Sequence, residues 1–251
     1  MIFSFLEYIS ESRDPGHSRL IKYADDVINV VSKTQTLGDS YVESRELEYN
    51  DGHQFDLVIQ VKRNSNPDLR KDSHFHRLPW EKINFDHYGF AIDANTRIDK
   101  MDLMIPEIIV TLIVNPDREP DLYDELRYRL IDIISHEINH TDQIGWNRKP
   151  FNVRPSANSD RSGAKNSFEY FLLPDEIESM VEGMYIRSKE QGVQIDKIFD
   201  KYLYPFLMSG KITEDQYLKV LEAWVKHALE NYPDAKMSTE DKKIRKIIDQ
   251  I

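Results

Sequence analysis

The sequence predicts an α+β fold, with a mostly antiparallel sheet in the N-terminal part and a helical C-terminal part. Three observations predict it. Stretches that are β-branched or alternate apolar with polar residues all lie at or before Asn115. From Asp121 onward apolar residues recur with the three-four rhythm of a helical face. Pro116 and Pro120 stand where one pattern gives way to the other.

Residues 1–14 read as an amphipathic leader, apolar throughout its first ten positions except where Ser4, Glu7 and Ser10 interrupt it. After the break at Asp14-Pro15-Gly16, Leu20, Tyr23, Ala24, Val27, Val30 and Val31 keep helical spacing. Strands are expected over Tyr41–Tyr49, Gln54–Arg63, Tyr88–Ala94 and Glu107–Asn115, with Ile108 to Val114 the strongest strand signal in the chain. The polar segment Asn64 to Asp86 is expected to be loop. From Asp121 to Ile144 the residues Leu122, Leu126, Leu130, Ile133, Glu137, His140 and Ile144 share one helical face, and Gly145 sits where a helix commonly stops. A polar loop follows from Trp146 to Ser167. Helices are then expected over 174–190, 194–208, 213–231 and 238–250, with Thr213/Gln216 and Ser238/Asp241 as capping pairs. The organisation expected is a leader over 1–14, a main domain over 15–190 and a helical subdomain over 191–251.

Composition narrows the chemistry. The 251 residues include no cysteine, which excludes disulfides, a thiolate nucleophile and Cys-ligated metal centres. Any metal would have to be held by His, Asp or Glu. With 33 Lys and Arg against 44 Asp and Glu, the net charge of −11 argues against general binding to nucleic acid phosphates. No run of about 18 apolar residues is present, so no membrane span is expected. A reducing cellular interior is the expected location.

The pattern that carries chemistry is His136-Glu137-Ile138-Asn139-His140, an H-E-x-x-H inside the long helix. Histidines at i and i+4 lie one above the other on a helix, where two imidazoles can share one Zn²⁺. Glu137, one residue on, reaches a water on the metal rather than the metal itself. Zinc lowers that water's pKa from 15.7 to about 7, so a carboxylate can take its proton near neutral pH. The competing reading is a solvated helix face. Against it, Glu137 and His140 interrupt the apolar stripe, where a Glu without a function would set an uncompensated charge against the core.

A catalytic zinc needs a third protein ligand, and the segment Tyr170 to Gly183 offers candidates. H-E-x-x-H on one helix followed by a Glu on a second resembles the gluzincin type of zinc metallopeptidase. The resemblance covers roughly residues 105 to 190. It implies a zincin-like domain, Zn²⁺ as cofactor, a peptide or protein substrate, and a downstream Glu as third ligand. Glu176 and Glu178 are the candidates, each about 100° from the centre of the apolar face Ile177, Met180, Val181 and Met184. The side of Glu176 also carries Ser179 and Gly183, small residues that admit a neighbouring helix, whereas Glu178 and Glu182 share a solvated face. Glu176 is therefore favoured over Glu178. Ser179 matches the small residue that gluzincins often show three positions after the ligand; Met180 stands where they often have Asp or Asn. The resemblance also makes Glu107 to Val114 the strand beside the cleft, open to an extended peptide. It calls for a Tyr or His near the water, for which Tyr170, Tyr185, Tyr202 and His227 are all candidates.

Other signals are weaker. His74-Phe75-His76 would chelate a metal on a strand but reads more simply as polar loop. Trp80, Trp146 and Trp224 read as packing residues, Trp146 also as a wall of the cleft. The loop from Gly145 to Ser167 carries Arg148, Lys149, Arg154, Arg161 and Lys165 against Asp160, a net +4 that would attract an acidic peptide or partner or simply be solvated. The N-terminus resembles the openings of proteins encoded by large tailed bacteriophages. There Ile9-Ser10-Glu11 before Ser12 would resemble a prohead-protease cleavage site, making the leader a packaging tag and virion proteins its partners. An amphipathic helix packed on the domain is the plainer reading.

The expectation is thus a gluzincin-like zinc metallopeptidase in a host cell interior or a virion. Metal ligands are His136, His140 and Glu176, and Glu137 is the general base. The alternative is a phage virion or other structural protein whose zinc site does not turn over.

Overall fold

The alternating segments form one four-stranded sheet: β1 (Ser40–Tyr49), β2 (His53–Arg63), β3 (Phe90–Arg97) and β4 (Glu107–Val114). A computed structural model of the chain describes residues 15–33, 40–49, 53–69, 71, 79–97, 105–119, 121–143 and 168–249. The strand order is β1-β2-β4-β3. β1 pairs antiparallel with β2 from Ser40↔Lys62 to Tyr49↔His53, and β3 antiparallel with β4 from Phe90↔Val114 to Arg97↔Glu107. β2 and β4 are parallel, Asp56↔Glu107 through Arg63↔Val114, so the sheet is mixed. A parallel pair needs a crossover, and the segment between β2 and β4 supplies it. β4 is interior, paired along both edges, and cannot accept a peptide strand as the sequence suggested. The outer strand on that side is β3.

Two-residue alternation sends Phe55, Leu57, Ile59 and Val61 of β2 and Ile108, Val110, Leu112 and Val114 of β4 to one buried face. The helix α1 (Pro15–Lys33) covers that face with Leu20, Ala24, Val27 and Val31, as its spacing predicted. A second helix, α2 (Pro79–Tyr88), begins inside the segment expected to be loop and runs on to Tyr88, where a strand was expected to start; β3 begins at Phe90 instead. The helix is short and rich in polar residues, which hid its rhythm. Its punctuation was nonetheless present: Pro79 at the first helical position, and Gly89 just past the end with φ +84°.

The long helix α3 (Tyr123–Gln143) is buried on two faces rather than one. Leu126, Leu130, Ile134 and Ile138 pack on the sheet. Arg129, Asp132, Ile133, His136 and Glu137 face a cleft instead, so Glu137 does not interrupt the sheet-facing stripe but stands on the second face. Across that face lies α4 (Pro174–Gln191), begun by Pro174 and ended by Gly192 at φ +67°. Three further helices, α5 (Ile195–Met208), α6 (Glu214–Asn231) and α7 (Lys242–Ile248), pack behind α4 in a second core with Phe171, Val181, Met184, Phe199, Phe206 and Trp224. Thr213 and Gln216 form the expected capping box on α6. Ser238 does not cap α7. Asp241 does, accepting from Lys243 and Ile244, while the Ser238 amide donates to Asp196. No helix among the described residues is long and apolar enough to cross a membrane.

The approach of α4 to α3 depends on Gly183. A Cβ there would stand 2.4 Å from the Asp132 carbonyl oxygen and 3.0 Å from its Oδ1. The neighbour is helix backbone, which cannot swing aside. Gly183→Ala is expected to cost about 1–3 kcal/mol, a drop in Tm of about 2–12 °C at this chain length, read by thermal melting. An unchanged Tm would mean that the two helices do not meet at this point.

Candidate metal centre

His136 and His140 rise from one turn of α3, and Glu176 enters from the first turn of α4. The Nε2 atoms of the two histidines are 3.0 Å apart, and Glu176 Oε2 lies 3.6 Å from the first and 3.5 Å from the second. An ion bonded tetrahedrally at about 2.0–2.1 Å holds its ligands roughly 3.3 Å apart, so the three atoms stand close to three corners of such a site. All three residues are buried, Glu176 with 1% of its surface exposed. They are the one group of at least three metal-ligating side chains found among the described residues, and they could hold a metal ion.

The protonation states suit that role. Burial lowers the His136 pKa, as does the neighbouring His140, which favours the neutral imidazole a metal requires. Burial would raise the Glu176 carboxyl. Its hydrogen bond with His140, the attraction of both histidines when they are protonated, and a hydrogen bond from Tyr170 outweigh that, bringing it down to about 2. Ser179 Oγ lies 3.4 Å from His140 Nδ1, on the far side of that ring. Glu176, and not Glu178, is the carboxylate brought to the two histidines, from the side of α4 that also carries Ser179 and Gly183. Glu178 stands away from the group, where its charge acts on His227. Glu182, expected on a solvated face, instead accepts a hydrogen bond from Asn139.

Glu137 stands beside the group of three and is not a member of it. Its Oε1 is 4.0 Å from His136 Nε2, and its Oε2 accepts from Thr96 Oγ1 at 2.8 Å. Thr96 also donates to the Glu137 carbonyl at 3.1 Å, tying β3 to α3 at this level. Beside these groups a cleft of about 580 Å³, counting its open mouth, is lined by Ile92, Asp93, Ala94, His136, Glu137, Tyr170 and Met180 among others. Of the four candidates for a hydroxyl or imidazole near the water, Tyr170 and Tyr202 line this cleft. Tyr170 is hydrogen-bonded to Glu176, and burial followed by that carboxylate raises its pKa well above the ordinary phenol. Tyr185 instead stacks on Tyr232 and donates to Asp234, and His227 is half-buried between Glu178 and Glu230.

Sequence reasoning missed Thr96, Glu81, Arg129 and Asp132. Thr96 and Glu81 carry no local signal, since only the fold brings β3 and α2 to this place. Arg129 and Asp132 were visible in principle: they precede His136 by seven and four residues and so share its helical face. The leader with Ile9-Ser10-Glu11, the pair His74 and His76, Trp146, and the basic loop over 145–167 lie outside the described residues, as does the side chain of Trp80.

No family model, curated protein or solved structure matches the chain.

Proposed function

We propose that the protein is a zinc-dependent metallopeptidase, with His136, His140 and Glu176 as ligands and Glu137 as general base. The observation that carries this reading is a three-ligand group of tetrahedral spacing beside a cleft that also presents a carboxylate outside the group. Two imidazoles and one carboxylate suit Zn²⁺, and three protein ligands leave a position for substrate or water. A bound Zn²⁺ would polarise the scissile carbonyl and lower the pKa of water. Glu137, with one oxygen anchored by Thr96, keeps the other for the proton of the attacking water and passes it to the leaving nitrogen. Tyr170, whose hydroxyl is given to Glu176, would hold that ligand in orientation. The outer edge of β3, beside Glu137, is where an extended peptide would lie. A structural role for the ion would be favoured by a fourth protein ligand; the group has three members among the described residues.

Zinc quantification on the wild-type chain and on His140→Ala, alongside a mixed-peptide cleavage assay, tests the reading. One zinc per chain, its loss in the variant, and cleavage stopped by a chelator and restored by Zn²⁺ are expected. Absence of zinc from the wild type would remove the metal site. Stoichiometric zinc with no cleavage would leave a structural ion and end the peptidase reading.

A further inference from the structure

The floor of the cleft holds a cation that neither the metal group nor Glu137 uses. Arg129 precedes His136 by seven residues, about 10 Å along the helix and on the same face. It lines the cleft together with His136, Glu137, Tyr170 and Tyr202, and its side chain is 12% exposed. The guanidinium lies over the Tyr202 ring, 5.7 Å from its centroid, and donates to Asp132 Oδ2 at 2.6 Å. A guanidinium has five N–H donors. Among the described residues that is the one hydrogen bond Arg129 makes, and its Nε and Nη2 are not among the buried atoms left without a partner.

The acids around it are already engaged. Asp132 accepts from both Arg129 and Arg187, and Glu125 from Arg187 and Lys201. Glu81 Oε2 accepts the backbone N–H of Ile92 at 2.9 Å. Three cations stand against these three carboxylates and Asp93 lines the cleft as well, so this end of it carries no excess of positive charge. What it leaves over is hydrogen-bond donors on Arg129.

The backbone of β3 gives the same end a second character. The Ile92 N–H points away from β4, so Ala94 and Thr96, two and four residues on, also face outward. A chain laid along that edge from Thr96 meets the Glu81 carboxylate in place of an open N–H at Ile92. Thr96 lies at Glu137, whereas Ile92 lines the cleft together with Arg129 and Asp132. An extended chain passing Glu137 therefore loses its strand partner beside a guanidinium with spare donors. That fits a carboxylate and not an ammonium.

We propose that Arg129 binds a carboxylate of the peptide substrate about two helical turns from the metal group, and that this carboxylate is the end of the chain, making the enzyme a C-terminal exopeptidase. The proposal rests on the peptidase reading above. Its test measures binding separately from turnover.

The full chain carrying Glu137→Gln and loaded with zinc is titrated into three fluorescein-labelled hexapeptides of one alanine-rich sequence. One has a free C-terminus, one a C-terminal amide, and one an amide with glutamate as its last residue. Fluorescence anisotropy is expected to show the free acid bound at least tenfold tighter than the plain amide. Adding Arg129→Gln is expected to erase that difference, and Arg129→Lys, which keeps the charge without the fork, to restore part of it. Equal affinity for acid and amide overturns the proposal while the peptidase reading stands. Tighter binding of the glutamate amide than of the free acid overturns the chain-end assignment and leaves a side-chain carboxylate. Failure of all three peptides to bind overturns both readings. The acid-against-amide comparison needs no change at Arg129, so it decides the matter even where an Arg129 variant does not fold.

Discussion

Glu137→Gln is expected to retain one zinc per chain and to lose peptide cleavage by a factor of roughly 10²–10⁴. The substitution isolates one property of the side chain. Glutamine has the size of glutamate and still offers Thr96 a carbonyl oxygen, so the tie between β3 and α3 persists. It cannot take a proton from water. Because Glu137 stands outside the ligand group, zinc affinity is expected to change little, as inductively coupled plasma analysis on the two proteins would show. The outcomes separate cleanly. Cleavage retained by the variant would sink the general-base role. Zinc lost together with cleavage would make Glu137 a ligand. Zinc kept and cleavage lost would leave proton transfer as the step that Glu137 serves.

Local sequence carried the helix of the two histidines and the carboxylate that α4 brings to them, and the reasons are physical. The i, i+4 spacing of His136 and His140 is sufficient to place two imidazoles on one face wherever a helix forms. The choice of Glu176 followed from the small residues Ser179 and Gly183, because a helix can approach another closely only where side chains are short. Strand order has no such local signature. β3 follows β2 in the chain yet lies outside β4, so the strand bordering the cleft was taken to be β4, the most apolar run. Thr96 was invisible for the same reason: a threonine in a strand is ordinary until the fold sets it against Glu137. The selection of Tyr170 and Tyr202 among four candidates also waited on packing, since each of the four suits an ordinary helix or turn.

The ion pairs beneath the cleft add a constraint that spacing alone does not express. Arg187 of α4 reaches Asp132 at 3.5 Å and Glu125 at 2.7 Å, both on α3. Such buried pairs contribute little net stability, because desolvation offsets their attraction. They are demanding about geometry, however, and a slip of α4 by one turn would leave Asp132 and Arg187 mispaired. The same slip would carry Glu176 away from the histidines. The arginine that faces the cleft and the arginine that holds α4 in register thus share one carboxylate, Asp132.

Trp224→Ala is expected to lower stability by about 3–5 kcal/mol, about 6–20 °C in Tm at this chain length, and to weaken zinc binding as well. Trp224 is fully buried on α6, with Phe171 at 6.0 Å, Phe199 at 5.4 Å and Tyr202 at 6.0 Å between ring centroids. Its indole N–H donates to the Phe171 carbonyl at 3.0 Å. Phe171 is the middle residue of the short 3₁₀ turn Tyr170–Leu172, which leads directly into α4. Removing the indole therefore leaves a cavity under the turn that aims Tyr170 at Glu176 and strands one carbonyl without its donor. Trp224→Phe keeps most of the volume and loses only the donor, for which about 1–3 kcal/mol is expected. Calorimetry with and without zinc distinguishes two arrangements of the C-terminal helices. If α5, α6 and α7 support the site, Trp224→Ala melts in one transition at lower temperature and binds zinc less tightly. If they form an independent unit, a separate early transition precedes the main one and zinc affinity stays at the wild-type value.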